Sequence, residues 1–359
     1  MKRHLIGVAA IVLGTALVGG VSVQTASAVD APTTVTLPVF GVPLTIGITS
    51  GPGSTLTDVT VDPAASNVAT DVRPHKVVFE SANPTVGGDP AKVTVKSKRG
   101  SQSVSARAGS LAEVSGPGSW SGDVFGNGTP SSVSFTIAAG ADGNPDITGT
   151  AVGGGSEASE IGAVKRSTGD DDDESSASAR QSVKFTSADG SQSRSVTISV
   201  KVKTDEDGET SAKLSVSLGR VKGEAVDAAA AVGTHTWTDL LCDGTTATIM
   251  YDVDINGAVS HVVATPAADV RQDGSKIDVR FSHDERVRIR VREDGGQIKI
   301  SVDNRIRCRD AADPTVNGSV VPTTADDNGN EDEGDDHGGG HHGGGHDDDA
   351  TSTTVTTVA

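Results

Sequence analysis

Four arginines alternate with apolar residues late in the chain: Arg286, Arg288, Arg290 and Arg292 against Val287, Ile289 and Val291. A strand turns successive side chains to opposite faces, so the arginines share one face and the aliphatics the other. At the same parity the polar face also gathers Arg280, Lys299, Arg305, Arg307 and Arg309. The apolar face gathers Val279, Phe281, Ile298, Ile300, Val302 and Ile306. A guanidinium donates two hydrogen bonds in a planar fork, which matches phosphate and carboxylate. The pattern therefore predicts an anion-binding face built from Arg280, Arg286, Arg288, Arg290, Arg292, Lys299, Arg305 and Arg307. Strand charges that prevent edge-to-edge association are the plain alternative. That purpose explains isolated lysines, but four alternating arginines exceed it.

The second chemical cluster is His337-Gly-Gly-Gly-His341-His342-Gly-Gly-Gly-His346, flanked by acid. Neutral imidazoles ligate Zn²⁺, Ni²⁺ and Cu²⁺. Glycine spacers let the rings converge but make the segment costly to order. His337, His341, His342 and His346 are expected to capture such a metal weakly, the alternative being a solvated polar tail. No cofactor is required otherwise. Asp252-Val-Asp254-Ile-Asn256-Gly257 opens like a calcium loop, but its twelfth position is Val263, where a bidentate Glu is needed. It reads as a hairpin turn. His75, His235, His261 and His283 are single residues beside strands or turns, expected to be structural. No nucleophile elbow, H-E-x-x-H, phosphate-binding glycine loop or free Cys–His pair is present in the sequence. An enzyme is therefore the third reading, after anion binding and metal capture.

The formal charge of −18 is mostly local. The run Asp170 to Glu174 and the cluster from Asp326 to Asp349 hold most of the excess carboxylates, leaving the rest near balance. At the N-terminus, Lys2 and Arg3, the apolar stretch Leu5 to Val18 and Ala26-Ser27-Ala28 read as a cleaved signal peptide over 1–28. The stretch is interrupted by glycines and falls short of a comfortable membrane span. No later segment is apolar enough to cross a bilayer. The two cysteines, Cys242 and Cys308, are an even pair in an exported chain and predict a disulfide. Closing so long a loop contributes roughly 4 kcal/mol by chain entropy.

The elements that must position these residues repeat. Val77/Phe79, Val183/Phe185 and Val279/Phe281 recur as Val-x-Phe strands. Trp120 to Thr129 matches Trp237 to Thr245, and Val59 to Ala65 matches Val262 to Ala268. The first copy lacks the Trp strand. Period-two alternation, as in Val196, Ile198, Val200 and Val202, reads as half-buried antiparallel strands, and Asn127-Gly128, Asp207-Gly208 and Asp294-Gly295 as tight hairpins. The expected architecture is all-β: tandem repeats of small antiparallel sandwich- or barrel-like modules. Repeats are placed at 33–112, 117–221 and 233–309, with an acidic Gly/Ser loop inserted at about 153–178. A disordered acidic Gly/His-rich tail is expected over 311–359. Aromatics are only 3% of the chain, so Val, Ile, Leu and Ala must build the cores around Trp120, Trp237 and the three phenylalanines.

These features together predict an exported, non-enzymatic β-repeat protein, secreted or held at the surface of a bacterial envelope. The Gly, Ala, Val, Asp and Thr bias is similar to that of secreted proteins of high-GC Gram-positive bacteria. The expected partner is an anionic wall polymer, or the chain's own acidic tail folded back on the arginines. Nucleic acid is not expected, because the aromatic platforms that stack bases are missing.

Overall fold

The computed structural model describes residues 32–320, apart from 40, 65–66, 85–89, 156, 172–173 and 318. The signal segment 1–28, the tail from 321 and the four tail histidines lie outside the described residues.

One plan of three strands followed by four occurs three times, with the first strand of the second group split in two in copy two. In copy one, β1 (Thr33–Val39), β2 (Val42–Ser50) and β3 (Leu56–Asp62) precede β4 (Asn67–Arg73), β5 (Lys76–Pro84), β6 (Pro90–Lys98) and β7 (Ser101–Ala108). In copy two, β8 (Gly116–Asp123), β9 (Pro130–Ala139) and β10 (Pro145–Gly154) precede β11 (Ala158–Ile161), β12 (Lys165–Asp171), β13 (Glu174–Thr186), β14 (Gln192–Thr204) and β15 (Thr210–Leu218). A connector holds β16 (Lys222–Gly223), β17 (Ala225–Asp227) and the single turn of helix α1 (Ala228–Ala231). Copy three has β18 (Gly233–Leu240), β19 (Thr246–Val253) and β20 (Val259–Thr265). Its second group is β21 (Asp269–Asp273), β22 (Lys276–Arg280), β23 (Glu285–Asp294) and β24 (Gln297–Ile306). The chain then adds β25 (Thr315–Val316) and β26 (Ser319–Val320).

The Val-x-Phe motif sits on the second strand of each four-strand group, with Phe281 just past the end of β22. Its phenylalanine meets the tryptophan of the three-strand group: Trp120 lies 6.3 Å from Phe185, and Trp237 lies 6.5 Å from Phe281. Both tryptophans are fully buried. Four residues before each stands a glycine at positive φ, 135° at Gly116 and 134° at Gly233, a backbone setting other residues avoid.

The tandem copies one and two share their sheets. β1 pairs with β8 and β7 pairs with β15, both antiparallel. The resulting orders, β10-β9-β8-β1-β2-β3 and β11-β13-β14-β15-β7-β6-β5-β4, read the same from either end in repeat position, as in a two-fold dimer. One continuous core results, from Val35 to Leu218. The physical gain is that four exposed strand edges disappear into two ladders. Arg194 fastens the join by donating to the carbonyls of Gly219, Val124 and Gly100 at 2.7–2.8 Å. Copy three keeps its own core around Trp237, Tyr251 and Ile289.

The described residues of 153–178 are mostly strand rather than loop. β11 and β12 pair in turn with the two halves of β13, as one broken edge strand. Gly, Ser, Ala and acid read as a loop because they bury little, but ladder hydrogen bonds need only backbone, and the long β13, itself paired with β14, supplies the template. The described residues from 315 likewise return to the fold. β25 runs parallel to β3, and β26 runs parallel to β4. Between them the Asn317 amide accepts from Val61 N at 2.7 Å and donates to Val61 O at 3.0 Å.

Cys242 and Cys308 are bonded, with Cα atoms 5.2 Å apart across a separation of 66 residues. They do not lie on neighbouring strands of one sheet. Cys242 follows β18 and Cys308 follows β24, so the bond ties the two sheets of copy three together.

Candidate anion-binding face

β21 to β24 form a meander whose inner face buries Ile277, Val279, Val287, Ile289, Val291 and Ile298. That burial fixes the register and sends every intervening side chain outward. The outer face can be read as rows across the strands. The first row is Asp269, Arg280, Arg286, Arg305. The second is Arg271, Asp278, Arg288, Asp303, and the third is Asp273, Lys276, Arg290, Ser301. Then Arg292 stands opposite Lys299.

Seven of the expected cations are thereby brought together: Arg280, Arg286, Arg288, Arg290, Arg292, Lys299 and Arg305. Arg307 is not among them. It follows the end of β24, and its backbone N–H donates to Asp284 O at 3.0 Å. Four residues escaped the sequence reading: the cations Arg271 and Lys276, and the acids Asp278 and Asp303. The alternation Lys276-Ile-Asp278-Val-Arg280 carried the signal for two of them.

The second row is internally neutral. Arg286 Nε donates to Asp278 Oδ1 at 2.6 Å and its Nη2 to Oδ2, while Arg288 Nε lies 3.4 Å from Oδ2. These side chains are about three-quarters buried. The hydrogen bond from Arg286 holds the Asp278 carboxyl below the usual carboxylate range, helped by the charges of Arg286 and Arg288 against some desolvation. Arg305 pairs with Asp303 at 2.8 Å.

The other rows are not neutral. Arg280 faces Arg286, Arg286 faces Arg305, Lys276 faces Arg290, and Arg292 faces Lys299. Like charges directly opposite on antiparallel strands destabilise the pair. Among the described residues, no carboxylate lies within ion-pair distance of Lys276, Arg280, Arg290, Arg292 or Lys299. Arg290, Arg292 and Lys299 are exposed.

No group of three or more His, Cys, Asp or Glu side chains able to hold a metal occurs among the described residues. Asp252 instead accepts from Thr234 at 2.6 Å and meets His261 Nδ1 at 2.9 Å, and Asp254 caps its hairpin turn through Asn256 N and Ala258 N. No helix among the described residues is long and apolar enough to cross a membrane. No family model, curated protein or solved structure matches this chain.

Proposed function

We propose that this is an exported, non-enzymatic binding protein whose outer β21–β24 face engages a polyanion, such as a phosphate-bearing wall polymer. One observation carries the reading: four pairs of like-charged cations face each other across the strands, with Lys276, Arg290, Arg292 and Lys299 gathered at one end. Folding gains nothing from such pairs. A row of phosphates laid over them turns each repulsion into shared attraction. The disulfide fits an oxidising compartment outside the cytoplasm.

The test is calorimetric titration with teichoic acid and with polyphosphate at low and moderate salt. The full chain should bind, more weakly as salt rises. Replacing Arg290, Arg292 and Lys299 together with Ser should lower affinity on the order of a hundredfold, at about 1 kcal/mol per cation near an anionic surface. Circular dichroism should not change, since all three are exposed. A chain ending after residue 320 keeps β25 and β26 and shows whether the acidic tail competes: its removal should then strengthen binding. Binding that ignores both salt and the triple substitution would leave the face as a solvated surface.

A further inference from the structure

Where copy three meets the sandwich lies a cleft of about 110 Å³, lined from all three copies. The sandwich wall carries Arg99, Arg194 and Arg220, and the copy-three wall carries Asp239, which accepts from Asn304, and Asp303, which pairs with Arg305. Two buried polar side chains line it as well. Ser97 is 1% exposed and Gln102 is 7% exposed, and neither Ser97 Oγ nor Gln102 Oε1 has a hydrogen-bond partner among the described residues. Gln102 is fixed in this pose, because its Nε2 donates to Ser50 Oγ at 2.7 Å. Unpartnered buried acceptors are costly, and a native site that keeps one is marked for a ligand or solvent. The backbone adds an independent sign. Arg99 sits at φ 50°, in a two-residue hairpin turn where Asn or Gly is the ordinary choice. Such outliers gather at functional sites.

We propose that this cleft binds a small zwitterion carrying a primary ammonium and a carboxylate. An anion alone would meet the aspartates, and a cation alone would meet the arginines. A molecule with both ends satisfies both walls. Gln102 Oε1 can only accept, so the ligand must bring an N–H or O–H donor, which an ammonium supplies. Ser97 Oγ can take the second hydrogen bond in either direction. A free amino acid and the end of a short peptide share this chemistry. The cleft shares Asp303 with the outer face but none of Arg290, Arg292 and Lys299, so the glycine test and the polyanion test can fail separately.

Titration of the full chain with glycine should give a Kd of about 1 mM or tighter. Acetate, methylammonium and glycine betaine lack the carboxylate–ammonium pair or its N–H donors, and should bind at least about tenfold more weakly. Diglycine separates the two charged ends, so it distinguishes a free amino acid from a peptide terminus as the source. Ser97→Ala should lower glycine affinity about tenfold while leaving the melting temperature unchanged or raised, because it deletes a buried hydroxyl without a partner. Arg220→Ser, at an exposed position, should lower affinity without moving the melting temperature. The proposal is overturned if neither glycine nor diglycine binds at about ten times that Kd, if acetate binds as well as glycine, or if both variants bind like the parent.

Discussion

Asp278 sets how much of the cationic face is available. It holds two of the arginines, and no substitution elsewhere frees both. Asp278→Asn should strengthen polyanion binding about fivefold, since one negative charge leaves and Arg286 and Arg288 turn outward. The same change should cost about 0.5–1 kcal/mol of stability at neutral pH, the modest value of a partly solvated ion pair. Its pH dependence has a definite sign. The folded pKa of Asp278 lies below the unfolded one, so the stabilisation is complete above the ordinary carboxylate range and is lost as pH falls through the lowered value. Urea denaturation over a descending pH series should therefore separate parent and variant at pH 7 and bring them together only well below the ordinary carboxylate range. The arginines of β23 were legible from their alternation alone, whereas Arg271 on β21 was not. The neutral row of the face was not legible either, because Asp278 and Asp303 join the arginines only through cross-strand register, and register lies in the pairing rather than in any one segment.

At the scale of elements, the repeated strands were legible wherever a buried face imposes a period. Val279, Val287, Ile289 and Ile298 alternate because one side of each strand is core, and the same holds for Val196 to Val200. Elements held mainly by backbone left no such mark. β12 pairs through Ser167, Thr168 and Gly169, and β25 and β26 are two residues each, too short for any period. The connector strand β16 is another of these, and it makes a sharp prediction. A Cβ on Gly223 would run into the carbonyl oxygen and carbon of Ile300, both backbone atoms of β24 that cannot swing away. Gly223→Ala should cost about 1–3 kcal/mol, the penalty of forcing atoms into packed space. Gly208→Ala is the control for added side-chain bulk: its Cβ meets nothing, although its φ of 78° carries backbone strain of its own. A melting temperature for Gly223→Ala no lower than that of Gly208→Ala would show that β16 does not approach β24 as described.

For the whole molecule, the two hydrophobic cores decide how it comes apart. The sandwich core runs through copies one and two, and the Trp237 core belongs to copy three. Each core loses its apolar contacts as a unit, so heating should give two transitions rather than one. The disulfide lies wholly within copy three, and its reduction removes roughly 4 kcal/mol of loop-closure stabilisation from that transition alone. For a unit of under a hundred residues this corresponds to a fall on the order of 15–30 °C. Asn317 reports on the other unit. Its amide closes two hydrogen bonds on the backbone of Val61 in β3, so Asn317→Ala should lower the sandwich transition by about 1–3 kcal/mol. It should leave the reductant-sensitive transition where it was. Scanning calorimetry with and without reductant, on parent and Asn317→Ala, tests all of this in four traces. One transition that reductant shifts as a whole would mean that copy three and the sandwich unfold together, coupled through β16, β17 and the return of the chain along β25 and β26.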